Sequence, residues 1–246
     1  MKTMLCTMMI SMSLCWGAVS FAQDATTLTY MTEEYPPYQY TEAGTLKGLT
    51  VDLLKLMWAK MGMPEQAIAV YPWARGYNLI QNNPNSVLFS MIRTPEREQK
   101  FKWVGPIFTA RTVLIGLTQQ PVTIRSLEDG KQYQIGTIRE DAAEQLLKAA
   151  GFDQQQLQAV TSLEQNIKKL QAHRIQLIAH SEKAFNDFIQ HAGLDPTAFA
   201  VVFVLQSVEG YYAFHKECSD VLVARFQDTL NSLEQERQEL LEQYGQ

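Results

Sequence analysis

Thr112-Val113-Leu114-Ile115-Gly116-Leu117 is an apolar, β-branched run, and the fold turns on it because a strand-and-helix pattern that leads up to it begins again beyond it. The run itself reads as a strand. Working back from it, Thr94-Pro95-Glu96-Arg97 is expected to open a short helix, with Thr94 as cap and proline at the first helical position. Ser86 to Ser90 reads as a strand, and Trp73, Tyr77 and Ile80 recur at helical spacing after Pro72. Ile68 to Tyr71 is a short strand. Thr50 is expected to cap a helix whose apolar face is Leu53, Leu54, Met57, Trp58 and Met61, with Gly62 as its stop. Thr27 to Met31 is the first strand, and Pro36-Pro37 forces a loop after it.

Beyond the central run the same grammar returns. Tyr133 to Thr137 is strand-like, and Asp141 to Ala150 is helical with Gly151 as stop. Ser162-Leu163-Glu164-Gln165 is a capping box opening a helix through Leu170. Arg174 to Ala179 is a strand, Ser181 caps a helix ending at Gly193, and Phe199 to Leu205 is a long apolar strand. From Tyr211 follow one more strand and a C-terminal helix carrying Val221, Phe226, Leu230 and Leu233. Alternation of this kind is the signature of an α/β fold with largely parallel sheets, here two units without a flexible tether.

The N-terminus sets the expected compartment. Lys2 precedes an uncharged apolar stretch from Met4 to Ala18, and Ser20-Phe21-Ala22 offers small residues where a signal peptidase cuts. A leader over residues 1–22 and a periplasmic mature chain are expected, because the apolar run falls short of the ~20 residues a membrane span needs. Cys6 and Cys15 leave with that leader, so Cys218 stands alone as a small buried thiol and no disulfide supports the core. The net charge of −5 argues against nucleic acid and anionic membranes as partners. His173, His180, His191 and His215 show no metal-ligand spacing, and no glycine-rich phosphate loop occurs. Neither a metal, a cofactor nor a catalytic set is expected.

Three segments taken in order carry a resemblance: Tyr35-Pro36-Pro37-Tyr38, then Gly48-Leu49-Thr50-Val51-Asp52-Leu53, then Thr94-Pro95-Glu96-Arg97 followed by Phe101 and Gly105-Pro106. With the restart at Tyr133 to Ala143 and the closing Tyr211-Tyr212-Ala213-Phe214, the chain resembles the bacterial extracellular solute-binding proteins of family 3, the amino-acid-binding group. The resemblance implies a two-lobed periplasmic binding protein fold of type II, each lobe a mostly parallel sheet flanked by helices, joined by two hinge crossings. The first lobe is then residues 23–113 plus 207–246, and the second is 114–206. A carboxylate-bearing metabolite, an amino acid or a relative of one, is implied to sit between them. A monomer that hands it to the membrane permease of an ABC importer, or to a membrane sensor, is the expected state. A runner-up on the same fold resembles periplasmic cyclohexadienyl dehydratases, with Glu182 or Glu140 as the acid.

By the same resemblance Arg97 grips the ligand's carboxylate, for which a guanidinium's rigid fork is suited, and Thr94 opens the segment that presents it. Tyr38 is either an aromatic wall of the site or ordinary packing. Trp73 is either core or pocket, and Arg75, at a helix start where it opposes the dipole, needs a negative partner. Arg139 lies in the second lobe's ligand loop, to touch ligand or to bridge the lobes. Glu33 and Glu34 read as loop charges, one of which could reach a cationic group. Two departures bear on the ligand. Ser181 stands where amino-acid binders place an aspartate for the ammonium, so an ordinary α-amino acid needs Glu182 or another acid as substitute. Ile92 replaces a hydroxyl residue, and Arg93 adds a charge that either suits an anion or pairs with Glu96.

Overall fold

A computed structural model describes residues 28–245, so the expected leader lies outside the described residues. In chain order the elements are β1 (Thr29–Thr32), β2 (Tyr40–Glu42), β3 (Thr45–Lys47), α1 (Leu49–Lys60), β4 (Ile68–Val70), α2 (Trp73–Asn82), β5 (Ser86–Ile92) and β6 (Phe101–Leu117). There follow β7 (Ile135–Ile138), α3 (Ala142–Ala149), β8 (Leu157–Val160), α4 (Leu163–Gln171), β9 (Leu177–Ser181), α5 (Glu182–His191), β10 (Phe199–His215), α6 (Asp220–Asn231) and α7 (Glu234–Gln243). The strands order as β4-β1-β5-β10-β6-β9-β7-β8, with β2-β3 a separate hairpin.

The architecture follows from two strands of 17 residues each, β6 and β10, which pair antiparallel along their whole lengths. At one end β5 joins β10 over Gly210 to Phe214, and β1 and β4 continue the sheet in parallel. At the other end β9 joins β6 antiparallel over Thr112 to Ile115, and β7 and β8 continue in parallel. Between these ends the ribbon has no third strand. Two half-sheets, each parallel at its outer end, are thus joined by a two-stranded ribbon, and the run that opens the sequence reading is the second half of one of its strands.

Each half-sheet is packed mainly on its own residues, with Ala142 and Ala184 of the second joining the core of the first. In the first, Leu53, Leu54, Met57 and Trp58 of α1 pack with Phe89, Tyr212 and Phe214 of the sheet and Phe226 and Leu230 of α6. Trp58 keeps its indole N–H satisfied at 3.0 Å from the Tyr30 hydroxyl. In the second, Ile167, Leu170, Ile178 and Phe185 cover one face, and Ile135, Leu147, Leu157 and Leu177 the other. Burying each such side chain contributes about 1.5–3 kcal/mol. Cys218 is buried and free.

Several local expectations are corrected. Gly48, not Thr50, is the cap of α1, because the chain there runs at φ 122° and a Cβ would meet the Tyr38 carbonyl oxygen at 2.5 Å. Thr50 lies inside the helix and donates its hydroxyl to that same oxygen. Thr94 to Arg97 forms a hydrogen-bonded turn and no helix. Ser162 caps α4 by accepting from the Gln165 N–H, but the Gln165 side chain returns to Thr161, one residue short of a capping box. The C-terminal helix is two helices broken at Ser232 and Leu233. Hairpin β2-β3 and strand β8 had no counterpart in the sequence reading.

Candidate functional site

In a parallel sheet the loops that follow the carboxyl ends of strands form the natural crevice. Here two such ends face each other. Glu33 to Pro36 follow β1, Tyr71 and Pro72 follow β4, Ile138 ends β7, Thr161 to Leu163 follow β8, and His180 lies near the end of β9. Together with Tyr40, Ala184, Phe188 and His191 they enclose a cleft of about 530 Å³ between the half-sheets.

Its chemistry is aromatic and acidic. Tyr35 stands edge-on to His180, with ring centroids 5.6 Å apart, so the two lobes meet at the cleft wall. His180 is 94% buried by its 6% exposure, its Nδ1 has no partner, and burial lowers its pKa although Asp141 opposes the shift. It is therefore neutral at pH 7 and able to accept a hydrogen bond. Burial also drives the Glu33 carboxyl well above the usual carboxylate range; the nearby Asp141 charge adds to this and Arg97 only partly offsets it. Burial raises the Tyr35 phenol likewise, although the Ser181 hydroxyl beside it works against the shift. At the mouth the Glu34 carboxylate accepts from the Thr41 N–H at 2.9 Å and from its hydroxyl at 2.5 Å.

A second set of residues joins the lobes beside the cleft without lining it. Arg97 is completely buried; its Nη1 donates to the Ile92 carbonyl at 3.0 Å and its Nη2 to the Glu140 carbonyl at 2.6 Å, while Nε has no partner. The Trp73 indole donates to the same Glu140 oxygen at 2.8 Å. Trp73 and Tyr77 place their rings 5.1 and 5.0 Å from the guanidinium carbon, and a cation so enclosed is held by ring quadrupoles as well as hydrogen bonds. Burial lowers the pKa of Arg97 against the opposing pull of Asp141, Tyr77 and Glu96, yet a guanidinium stays charged at any ordinary pH. Glu140 presents its carbonyl from a left-handed conformation, φ 62°, with its own N–H held by the Glu144 carboxylate.

The remaining candidates are placed as follows. Tyr38 is fully buried, stacked between Tyr35 and Phe108 with centroids 5.1 and 3.8 Å away. Thr94 is half-buried with its hydroxyl unpartnered. Arg75 is exposed, 4.6 Å from the Tyr71 ring centroid, and Arg139 is exposed. Ser181 caps α5 through the Ala184 N–H at 3.3 Å. Glu182 pairs with Arg111 of β6 at 3.1 Å. Arg93 pairs in bidentate fashion with Glu98, not with Glu96, which takes Lys100. None of the eight residues singled out as ligand contacts lines the cleft; Glu33, Glu34 and His180, which do, were visible in the sequence as an acidic loop and a histidine near the crevice.

A cleft between the carboxyl ends of two parallel half-sheets, bridged by a two-stranded ribbon, defines a two-lobed binding protein of the periplasmic type. The chain belongs to the bacterial extracellular solute-binding proteins, family 3, whose family model matches residues 28–246. Over 139 residues it is 27% identical to the arginine-binding extracellular protein ArtP of Bacillus subtilis, a match spanning 55% of this chain and about half, 54%, of that relative. Among solved structures, a histidine kinase sensor domain similar to periplasmic binding proteins superimposes with a TM-score of 0.78 at 17% identity, over 89% of this chain and 96% of that one. An ancestral arginine-binding protein bound to arginine gives 0.76 at 19% identity, over 88% and 97%. At such identities the likeness is one of fold.

Proposed function

We propose that this chain is a periplasmic solute-binding protein that captures an amino acid or a closely related small metabolite between its lobes and presents it to an ABC-type permease. The observation that carries this reading is the cleft, which draws on five strand ends from two half-sheets. Its volume of about 530 Å³ lies within the range of small-molecule sites. The lobes are divided as residues 23–113 plus 207–246 and residues 114–206, and closure is a hinge motion about the ribbon. The arginine-binding relative supports an amino-acid-like guest. Turnover is disfavoured because Glu182 is held by Arg111 and neither it nor Glu140 reaches the cleft.

Thermal denaturation of the mature chain against a panel of amino acids, amines and dicarboxylates tests the reading. A ligand at a hundred times its Kd stabilises by about 2.7 kcal/mol. No shift with any amino acid or amine would remove this reading. Delivery to a sensor instead of a permease changes the receiving partner and not the cleft; loss of ligand uptake on deleting the gene separates the two.

A further inference from the structure

The two lobes touch one another directly, through groups of the chain itself. We propose that these contacts form a latch that holds the lobes closed in the unliganded protein, with the Glu140 carbonyl as its catch and Glu144 as the residue that positions it. This goes beyond the solute-binding reading and does not depend on which guest the cleft takes.

The second lobe sets the catch by itself. Glu140 lies in the turn between β7 and α3 at φ 62°, a left-handed backbone that its residue type seldom adopts. Its N–H is held at 2.7 Å by the carboxylate of Glu144, which is buried and paired with Lys148 at 3.2 Å. The following N–H, that of Asp141, donates to the Ile138 carbonyl at 3.1 Å. Both peptide units around Glu140 are thereby fixed, and its carbonyl is aimed at the first lobe. Two donors of that lobe meet it, Arg97 Nη2 at 2.6 Å and the Trp73 indole at 2.8 Å, and the two lone pairs of a carbonyl oxygen accommodate both.

Apolar and aromatic contacts flank the catch. Ile138 of the second lobe packs in a cluster with Trp73, Tyr77 and Phe101 of the first, and Ala142 and Ala184 join the core that holds Tyr38 and Phe108. Tyr35 meets His180, and Tyr40 meets His191, each pair with ring centroids 5.6 Å apart. Against these gains stands the Nε of Arg97, buried without a partner. The ribbon that joins the lobes carries register breaks in β10 between Val201 and Phe203, Val204 and Gln206, and Gly210 and Tyr212, and a strand bends at such breaks. A small latch on a ribbon able to bend sits near balance, so the loss of one hydrogen bond moves the closed fraction by a measurable factor.

Spin labels report the opening in the full mature chain, with any guest stripped by unfolding and dialysis. One label goes on Thr45→Cys, exposed on the β2-β3 hairpin at one lip of the cleft, and the other on Gln171→Cys, exposed at the far end of the helix whose first turn forms the opposite lip. Cys218 is buried and stays unlabelled. Pulsed electron resonance is expected to show the short separation as the main population. Glu144→Ala should lower the closed-to-open ratio about fivefold, and Glu144→Gln, which keeps an acceptor for the Glu140 N–H, should hold it within about twofold of the parent. Trp73→Phe, which withdraws one donor from the catch and keeps the ring, should lower it about threefold and serves if Glu144→Ala does not fold. A main population at the long separation in the labelled parent overturns the latch, as does a distribution indifferent to both Glu144→Ala and Trp73→Phe. Equal opening by Glu144→Ala and Glu144→Gln overturns the role given to Glu144. No ligand enters the measurement, so its failure leaves the solute-binding reading to its own thermal test.

Discussion

The seam between the lobes has two neighbouring regions that spend their polar groups in opposite ways. At the Arg97 clasp, two donors from the first lobe converge on one carbonyl of the second, and almost every strong donor is used inside the protein. In the neighbouring cleft the Glu33 carboxyl is half-buried with its pKa raised by burial, and a buried imidazole nitrogen of His180 has no partner. The difference teaches that a guanidinium at the seam between lobes can spend its terminal nitrogens on main-chain carbonyls from both sides. What decides is whether its terminal nitrogens are already spent on main-chain carbonyls, as those of Arg97 are.

The largest effect that breaks this contrast is expected from Arg97→Ala. Removing a fully buried side chain and one donor to Glu140 should cost about 3 kcal/mol, lowering Tm by roughly 9 °C in thermal denaturation. An unchanged Tm would mean the clasp does not hold the lobes.

The cleft region should show itself by pH. The Glu33 carboxyl is raised above its ordinary value of 4.5, so the empty protein keeps a proton that the unfolded chain gives up. The stability this contributes is complete below pH 4.5 and is lost as pH rises through the folded value. Asp141, Arg97 and the Tyr35 phenol face the group and set that window. Glu33→Gln should flatten this part of the Tm-against-pH curve.

Smaller effects sharpen the comparison. Trp73→Phe keeps a ring over Arg97 but withdraws one of the two donors to Glu140, for a loss of about 1 kcal/mol. Ser181→Ala removes the cap of α5 for about 1 kcal/mol or less, and ligand affinity should stay within a factor of two, because the hydroxyl serves the helix and lies outside the lining.

The two-unit α/β plan was legible because strand and helix periodicities differ and glycines at 62, 151 and 193 do end or follow helices at positive φ. Strand β8 was missed because its four residues, Leu157 to Val160, are too few to show alternation, and Thr94-Pro95 satisfied helix-start chemistry in a segment that makes only a turn. Arg97 could be singled out, but its partner could not. A main-chain carbonyl has no side-chain signature, and a left-handed Glu140 contradicts the preference of its residue type. Glu33 and His180 lie far apart in sequence, and only the opposition of β1 and β9 across the cleft gives them a common role.

Tyr35, Tyr38 and Phe108 form a column of stacked rings leading from the cleft wall to β6, where Phe108 lies so close to Gly210 of β10 that a Cβ there would come within 2.2 Å of the ring. A guest that settles on Tyr35 therefore loads one end of a strut whose other end is wedged against the hinge.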